Sequence, residues 1–366
     1  MGRKRNKRIL ILSSLLLILG LLISLSARLI SSFADFFSST VYRVTSGCFA
    51  RIFSIFPFSV SELLLYCLIA GIILVFILSL YRIISGKSGL MSVVKTLLIR
   101  FYFVAGLLFF LYAVNCGVNY YRTGFAEGTG LEAGSYTGEE LLEYCTWLVG
   151  EINRTAPLTD RDVNGLAAFG SGENSACRQA MQDISSGYPV LGGYYPPAKP
   201  VLVSQILSYQ HLTGIYSPFT VEANYNKDMP GFYKAFTICH ELSHLKGFMQ
   251  EEEASFIGYL ACTRSDNPNL VYSGCLVAYI YASNELWNYD QEACSALRSQ
   301  LCTAAGEDLK ANNRFWDSYE GAISKASSKL NDTYLKANSQ NSGVKSYDKV
   351  TSLMLADYLN QYNQYK

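Results

Sequence analysis

The string FTICHELSHLKGF places His240 and His244 four residues apart, with Glu241 between them. On a helix, residues i and i+4 share a face. Both imidazoles can then offer a nitrogen to one metal ion, at about 2.0–2.1 Å. Glu241 projects beside that face, where a general base would act on a metal-bound water. Zinc brings the pKa of such a water to about 7. The expected chemistry is peptide-bond hydrolysis with one Zn2+ per chain, Glu241 taking the water's proton and passing it to the leaving amine. The competing reading is a pair of histidines on an ordinary helix. Against it, the chain holds only 3 histidines and two of them fall in this string. Ala235, Phe236, Ile238 and Cys239 make the same helix largely apolar, and an unpartnered glutamate buried there would be costly.

A catalytic zinc site takes three protein ligands and leaves a position open. His211, Glu251, Glu252 and Glu253 are on offer as the third ligand. Ala254, Gly258 and Ala261 form a stripe of small residues suited to close packing on the motif helix, and Glu251 belongs to that stripe by its spacing. Glu251 is the expected ligand and Glu253 the alternative. The rest of the acidic run reads as a solvated first turn favoured by the helix dipole. Peptide hydrolysis also needs a donor for the oxyanion. Tyr347 is the candidate taken, with His211 and Tyr225 also able to donate. In a chain of 27 tyrosines, a structural role is the competing reading for each. Glu222 and Asn224 are candidates for contact with substrate backbone or with the metal.

These residues need elements to hold them. The motif helix reads as Phe232 to Lys246, stopped by Gly247, with a second helix from about Gln250. Upstream, IYSPFTVEANYN (Ile215 to Asn226) reads as a strand at a sheet edge, where a peptidase can pair with its substrate's backbone. Thr137 and Glu140 form a capping box opening a helix that runs to about Asn153. A further helix covers Ser175 to Ser185. YPVLGGYYPPAKPVLVS reads as a loop leading into extended chain. Asp266, Asn267 and Pro268 mark a break before a helix at Val271 to Asn284. From Gln291 to Tyr365 the chain is mostly helical, with a polar gap at NSQNSG.

The first third differs. Ile9–Ala27, Leu63–Tyr81 and Phe101–Tyr121 each approach the roughly 20 apolar residues that cross a bilayer. A cleaved signal peptide competes for the first run, since MGRKRNKR resembles a positive n-region. The run is longer than a signal core, however, and two more follow. Arg3, Lys4, Arg5, Lys7 and Arg8 put the N-terminus in the cytoplasm, and Arg82, Lys87, Lys95 and Arg100 put the second loop there too. The expected division is a membrane region over residues 1–121 and an extracytoplasmic domain over 122–366, embedded through the lipid bilayer of the cell membrane.

A net charge of +1 lacks the basic excess of a nucleic-acid binder, so no nucleic-acid partner is expected. The expected partner is a peptide or protein substrate, and the sequence leaves oligomeric state open. The cysteines from Cys145 to Cys302 are odd in number, so they cannot all pair with one another.

The strings HELSHLKGFMQEEEASF, GIYSPFTVEANYN and SYDKVTSLMLADYL resemble the bacterial membrane-protein family catalogued as domain of unknown function 3810. That family in turn resembles gluzincin-type zinc peptidases such as thermolysin, in which a Glu-x-x-Ala/Ser-Asp pattern supplies the third ligand. Glu251, Ala254 and Ser255 fill the corresponding positions, with Ser255 where those relatives carry Asp to orient a ligand histidine. The resemblance implies a peptidase-like site. The overall expectation is three N-terminal transmembrane helices followed by a mainly helical α+β zincin-like domain with a small sheet. Its expected function is that of a membrane-anchored zinc metallopeptidase. The alternative is a zinc-binding but non-catalytic membrane sensor or assembly protein.

Overall fold

A computed structural model describes residues 2–87, 89–131, 133–338, 340 and 347–364. Three helices, Lys4–Leu29 within α1 (Gly2–Leu29), α4 (Val60–Ile84) and α5 (Leu90–Asn115), are long and apolar enough to cross a membrane. α1 and α5 run parallel in contact. A Cβ on Gly106 would meet the Ser13 carbonyl at 3.1 Å, and one on Gly20 would meet Phe109 at 2.9 Å. The third apolar helix starts and ends earlier than Phe101–Tyr121. Nothing between Leu90 and Phe101 breaks a helix, and the backbone leaves the helical region at Cys116. Gly117–Tyr121 is a separate 3-10 turn.

The link between the first two apolar helices is itself folded: α2 (Ser31–Phe37), a π-helical turn Ser38–Tyr42 and α3 (Arg43–Phe53). α3 is amphipathic, and its Ala50 joins the core of the following domain. The start of α4 is tied to that domain as well. Glu62 accepts the Leu202 and Val203 N–H groups at 2.7 and 3.0 Å. Glu222 accepts those of Val60 and Ser61 at 3.1 and 2.8 Å.

The domain is mainly helical. After the short α6 (Phe125–Gly128) come α7 (Gly138–Thr155), α8 (Glu173–Ile184), α9 (Gln205–Tyr209), α10 (Gly231–His244), α11 (Glu251–Thr263), α12 (Pro268–Tyr289), α13 (Gln291–Ser299), α14 (Thr303–Asp317), α15 (Ala322–Ala337) and α16 (Tyr347–Gln364). α7 carries the expected capping box: Glu140 N–H donates to Thr137 Oγ1, and Thr137 N–H to the Glu140 carboxylate at 2.7 Å. Asn267 caps α12 and Pro268 opens it, so the expected break is also a start signal. The core lies where α7, α10, α11 and α12 meet, around fully buried Tyr144, Leu148, Ile152, Phe256, Tyr259 and Tyr272.

Ile215 to Asn226 is two strands rather than one edge strand. β2 (Gly214–Ser217) and β3 (Glu222–Tyr225) form an antiparallel hairpin, with β1 (Lys199–Pro200) parallel to β3 on the other side. The order β1-β3-β2 makes β1 and β2 the edges and β3 the centre. Pro218, lacking an N–H, falls where the first strand must stop. The cysteines are all free thiols.

Candidate metal centre

α10 buries a face of Phe232, Ala235, Phe236, Ile238, Cys239 and Leu242, which fixes its rotation. Gly247 then reverses the chain with φ +85°, a conformation that glycine adopts without steric cost. A Cβ there would sit 3.0 Å from Arg122 Nη1 and 3.2 Å from Asn119 Oδ1. The turn returns α11 along α10, and the small-residue stripe sets the separation. Ala254 and Ala261 are fully buried, and a Cβ on Gly258 would lie 3.1 Å from the His240 backbone nitrogen.

This packing brings Glu251 to the two histidines. His240 Nε2 lies 3.2 Å from Glu251 Oε2, and His244 Nε2 lies 4.0 Å from Glu251 Oε1. Donor atoms of His240, His244 and Glu251 all fall within 4.8 Å of one another, a group that can hold a metal ion. His244 is buried, whereas the Glu251 side chain keeps 33% of its surface exposed. The cluster therefore opens to solvent on its Glu251 side.

The far nitrogens of both rings are engaged. His240 Nδ1 is 3.1 Å from Ser255 Oγ, and His244 Nδ1 is 2.7 Å from the Phe248 carbonyl. A carbonyl only accepts, so Nδ1 of His244 carries the proton and Nε2 presents its lone pair to the cluster. Sequence reasoning missed Phe248, because a backbone carbonyl leaves no mark in residue type. It also missed Tyr42, whose hydroxyl donates to the His244 carbonyl at 3.0 Å across 202 residues of chain.

The charges within the cluster are coupled. Burial opposes protonation of His240, but the Glu251 hydrogen bond and charge outweigh it and move its pKa upward. Burial lowers His244 to about 4. Burial also opposes ionisation of Glu251, yet His240 and His244 overcome this and hold it low. Burial pushes Glu241 up to about 8, with Glu251 adding to the rise and His240 opposing it.

Glu241 lies under β2. A Cβ on Gly214 would come within 2.5 Å of Glu241 Oε1 and 2.8 Å of Thr237 Cγ2. Its other oxygen, Oε2, is buried without a hydrogen-bond partner. A buried carboxylate oxygen without a partner is expensive, and here it sits on the residue next to His240.

Several candidates lie elsewhere. Glu253 Oε1 accepts the Ala126 N–H at 3.3 Å and presses on Gly124. Glu252 accepts from Gln340 Nε2 at 3.0 Å and pairs with Lys349. Glu222 forms a buried ion pair with Lys199 besides holding the start of α4. Asn224 donates within the sheet, to the Ile215 and Glu222 carbonyls. His211 adopts φ +56° and packs on Trp316, and Tyr225 packs on Phe169. Tyr347 opens α16, and its side chain lies outside the described residues.

Residues 37–355 match the family described as a protein of unknown function (DUF3810), and the chain belongs to that family. No curated protein and no solved structure matches the chain.

Proposed function

We propose that the protein is a membrane-anchored zinc metallopeptidase of gluzincin type, with His240, His244 and Glu251 as ligands and Glu241 as general base. One observation carries the reading. A two-histidine, one-carboxylate donor set converges within 4.8 Å beside a buried carboxylate oxygen that has no hydrogen-bond partner among the described residues. Histidine nitrogens and a carboxylate oxygen are the ligands of catalytic rather than structural zinc, and three of them leave a position open. When bound there, zinc would polarise a scissile carbonyl and acidify a water.

The remaining chemistry belongs to the chain. Ser255 and Phe248 orient the two imidazoles. Glu241, raised by burial, takes a proton at Oε2 and returns it to the leaving amine. β2, the sheet edge directly above Glu241, offers backbone groups along which an extended peptide can align. The positive residues beside the apolar helices favour a domain outside the cytoplasm.

The test uses the full-length protein in detergent. Wild type should carry about one zinc per chain and cleave members of a peptide library. Glu241→Gln should keep the zinc and lose cleavage, and His244→Ala should lose both. Absence of zinc after equilibration with the metal would overturn the reading. Stoichiometric zinc with no cleavage across the library would leave only a binding role.

A further inference from the structure

A cavity of about 230 Å³ lies between α3 and the Leu245–Lys246 turn that follows α10. Four cationic residues line it, Arg43, Arg51, Arg122 and Lys246, and no acidic residue does. Arg122 has two acidic residues near enough to act on its charge, Asp35 and Glu253. Even so, its Nε is buried without a hydrogen-bond partner. Among the described residues, Arg43, Arg51 and Lys246 form no ion pair. Lys246 Nζ donates to the Tyr194 carbonyl at 2.9 Å and lies over the face of Tyr195. Arg51 has the Gly47 carbonyl, at 2.9 Å, and the face of Tyr194. Cations gathered without a counter-charge repel one another, and an anion between them relieves that repulsion.

The setting narrows which anion. On α3, Arg43, Ser46, Gly47, Ala50 and Arg51 share the face toward the cavity. A different stripe of the same stretch, Val41, Val44, Ile52 and Ile55, is exposed at 40%, 66%, 55% and 77%. α3 joins two helices long and apolar enough to span a membrane. An amphipathic helix in that position lies in the interfacial plane with its apolar stripe toward the acyl chains. That puts Arg43 and Arg51 at the level of the lipid phosphates.

We propose that this cavity binds a phosphate-bearing anion, supplied by the headgroup of an acidic phospholipid. Arginine forks match phosphate oxygens in pairs, and Ser46 adds a hydroxyl to the lining. The far wall is the turn that ends α10, where Arg122 Nη1 already holds the Lys246 carbonyl at 2.9 Å. An occupant would therefore brace the end of the helix that carries His240 and His244. The proposal stands on the cavity and its charges and does not depend on the peptidase reading.

The full-length protein in detergent is titrated with phosphatidylglycerol, phosphatidylcholine and inorganic phosphate, with binding followed by native mass spectrometry and thermal unfolding. Wild type should bind about one phosphatidylglycerol roughly 10-fold more tightly than phosphatidylcholine, as cationic side chains at a membrane surface discriminate for net charge. Arg43→Gln/Arg51→Gln, which alters two exposed side chains, should weaken phosphatidylglycerol binding about 10-fold, while the lipid-free variant unfolds no lower than wild type because the repulsion is relieved. Saturable inorganic phosphate that is lost in the double variant, without preference for the acidic lipid, would support the phosphate site and assign it to the free anion. Equal binding of both lipids with no phosphate binding, or acidic-lipid binding unaltered in the double variant, would overturn it.

Discussion

Ser255 Oγ lies 3.1 Å from His240 Nδ1, so a serine holds the ring where the gluzincin pattern carries an aspartate. The hydroxyl can donate to Nδ1 or accept from it, so it positions the ring without fixing the tautomer, and it adds no negative charge to strengthen the imidazole as a donor. Outer partners of metal-bound histidines are worth about 10–100-fold in metal affinity. Ser255→Ala should lower zinc affinity at the weak end of that range, near 10-fold, by competition with a chelator. Ser255→Asp should raise it above wild type. An unchanged affinity in Ser255→Ala would show that the contact does not orient the ring.

Glu251 and Glu253, two residues apart, should behave oppositely. Glu251 sits 3.2 Å from His240 Nε2, whereas Glu253 accepts the Ala126 N–H. Glu251→Gln should cut zinc affinity by more than the roughly 100-fold that an outer partner commands. Glu253→Gln should leave zinc content intact and lower only thermal stability, by about 1–3 kcal/mol for a disturbed buried hydrogen bond. Metal analysis of the two variants side by side decides between the two ligands.

The two halves of the site were unequally legible in the sequence. His240, Glu241, His244 and Glu251 announce themselves by helical spacing and by the small-residue stripe, because a helix's faces follow from 3.6-residue periodicity. Gly247 was legible for the same local reason. Tyr42, Phe248 and Gly214 were not, since each reaches the site through long-range packing or through its backbone. The folded link from Ser31 to Phe53 was hidden too. Its apolar positions are too few for a span, and its hydrogen-bond partners beyond the link lie 81 to 202 residues away. The hairpin was half visible: strand formers marked Ile215 to Asn226, but the reversal near Pro218 separates β2 from β3.

Gly214 predicts an effect on catalysis separate from metal binding. A Cβ there would overlap Glu241 Oε1 at 2.5 Å and Cγ at 2.8 Å, so Gly214→Ala must displace either the carboxylate or β2. A misplacement of about 1 Å at a reacting group can cost about 100-fold in rate. Peptide cleavage should fall by that order, while zinc content, which the proposed reading assigns to His240, His244 and Glu251, should stay at the wild-type level. Simultaneous loss of zinc would mean that the strand also supports the metal ligands.

Glu173 gives the domain a pH dependence away from the metal. Burial lifts its carboxyl from 4.5 to about 7, against the Gly170 N–H that it accepts. A carboxyl with a raised folded pKa favours the folded state while protonated. Its contribution is complete below 4.5 and is lost as pH climbs through about 7; the direction follows from linkage. Thermal unfolding of wild type should therefore shift downward across that window relative to Glu173→Gln, which cannot ionise. Parallel curves for the two proteins would remove Glu173 as the cause.

The buried pair of Lys199 and Glu222 ties the second apolar helix to the domain. Both side chains are nearly inaccessible, at 4% and 3%, and Glu222 also accepts the Val60 and Ser61 N–H groups at the start of α4. Removing one partner of a buried ion pair strands the other charge and costs about 3–5 kcal/mol. Lys199→Met should accordingly lower the unfolding temperature sharply. Glu222→Gln in the Lys199→Met background should recover much of that loss, because the stranded charge is gone while an amide oxygen still accepts from Val60 or Ser61. If the double variant were no more stable than Lys199→Met alone, the loss would lie in lysine packing rather than in the uncompensated carboxylate.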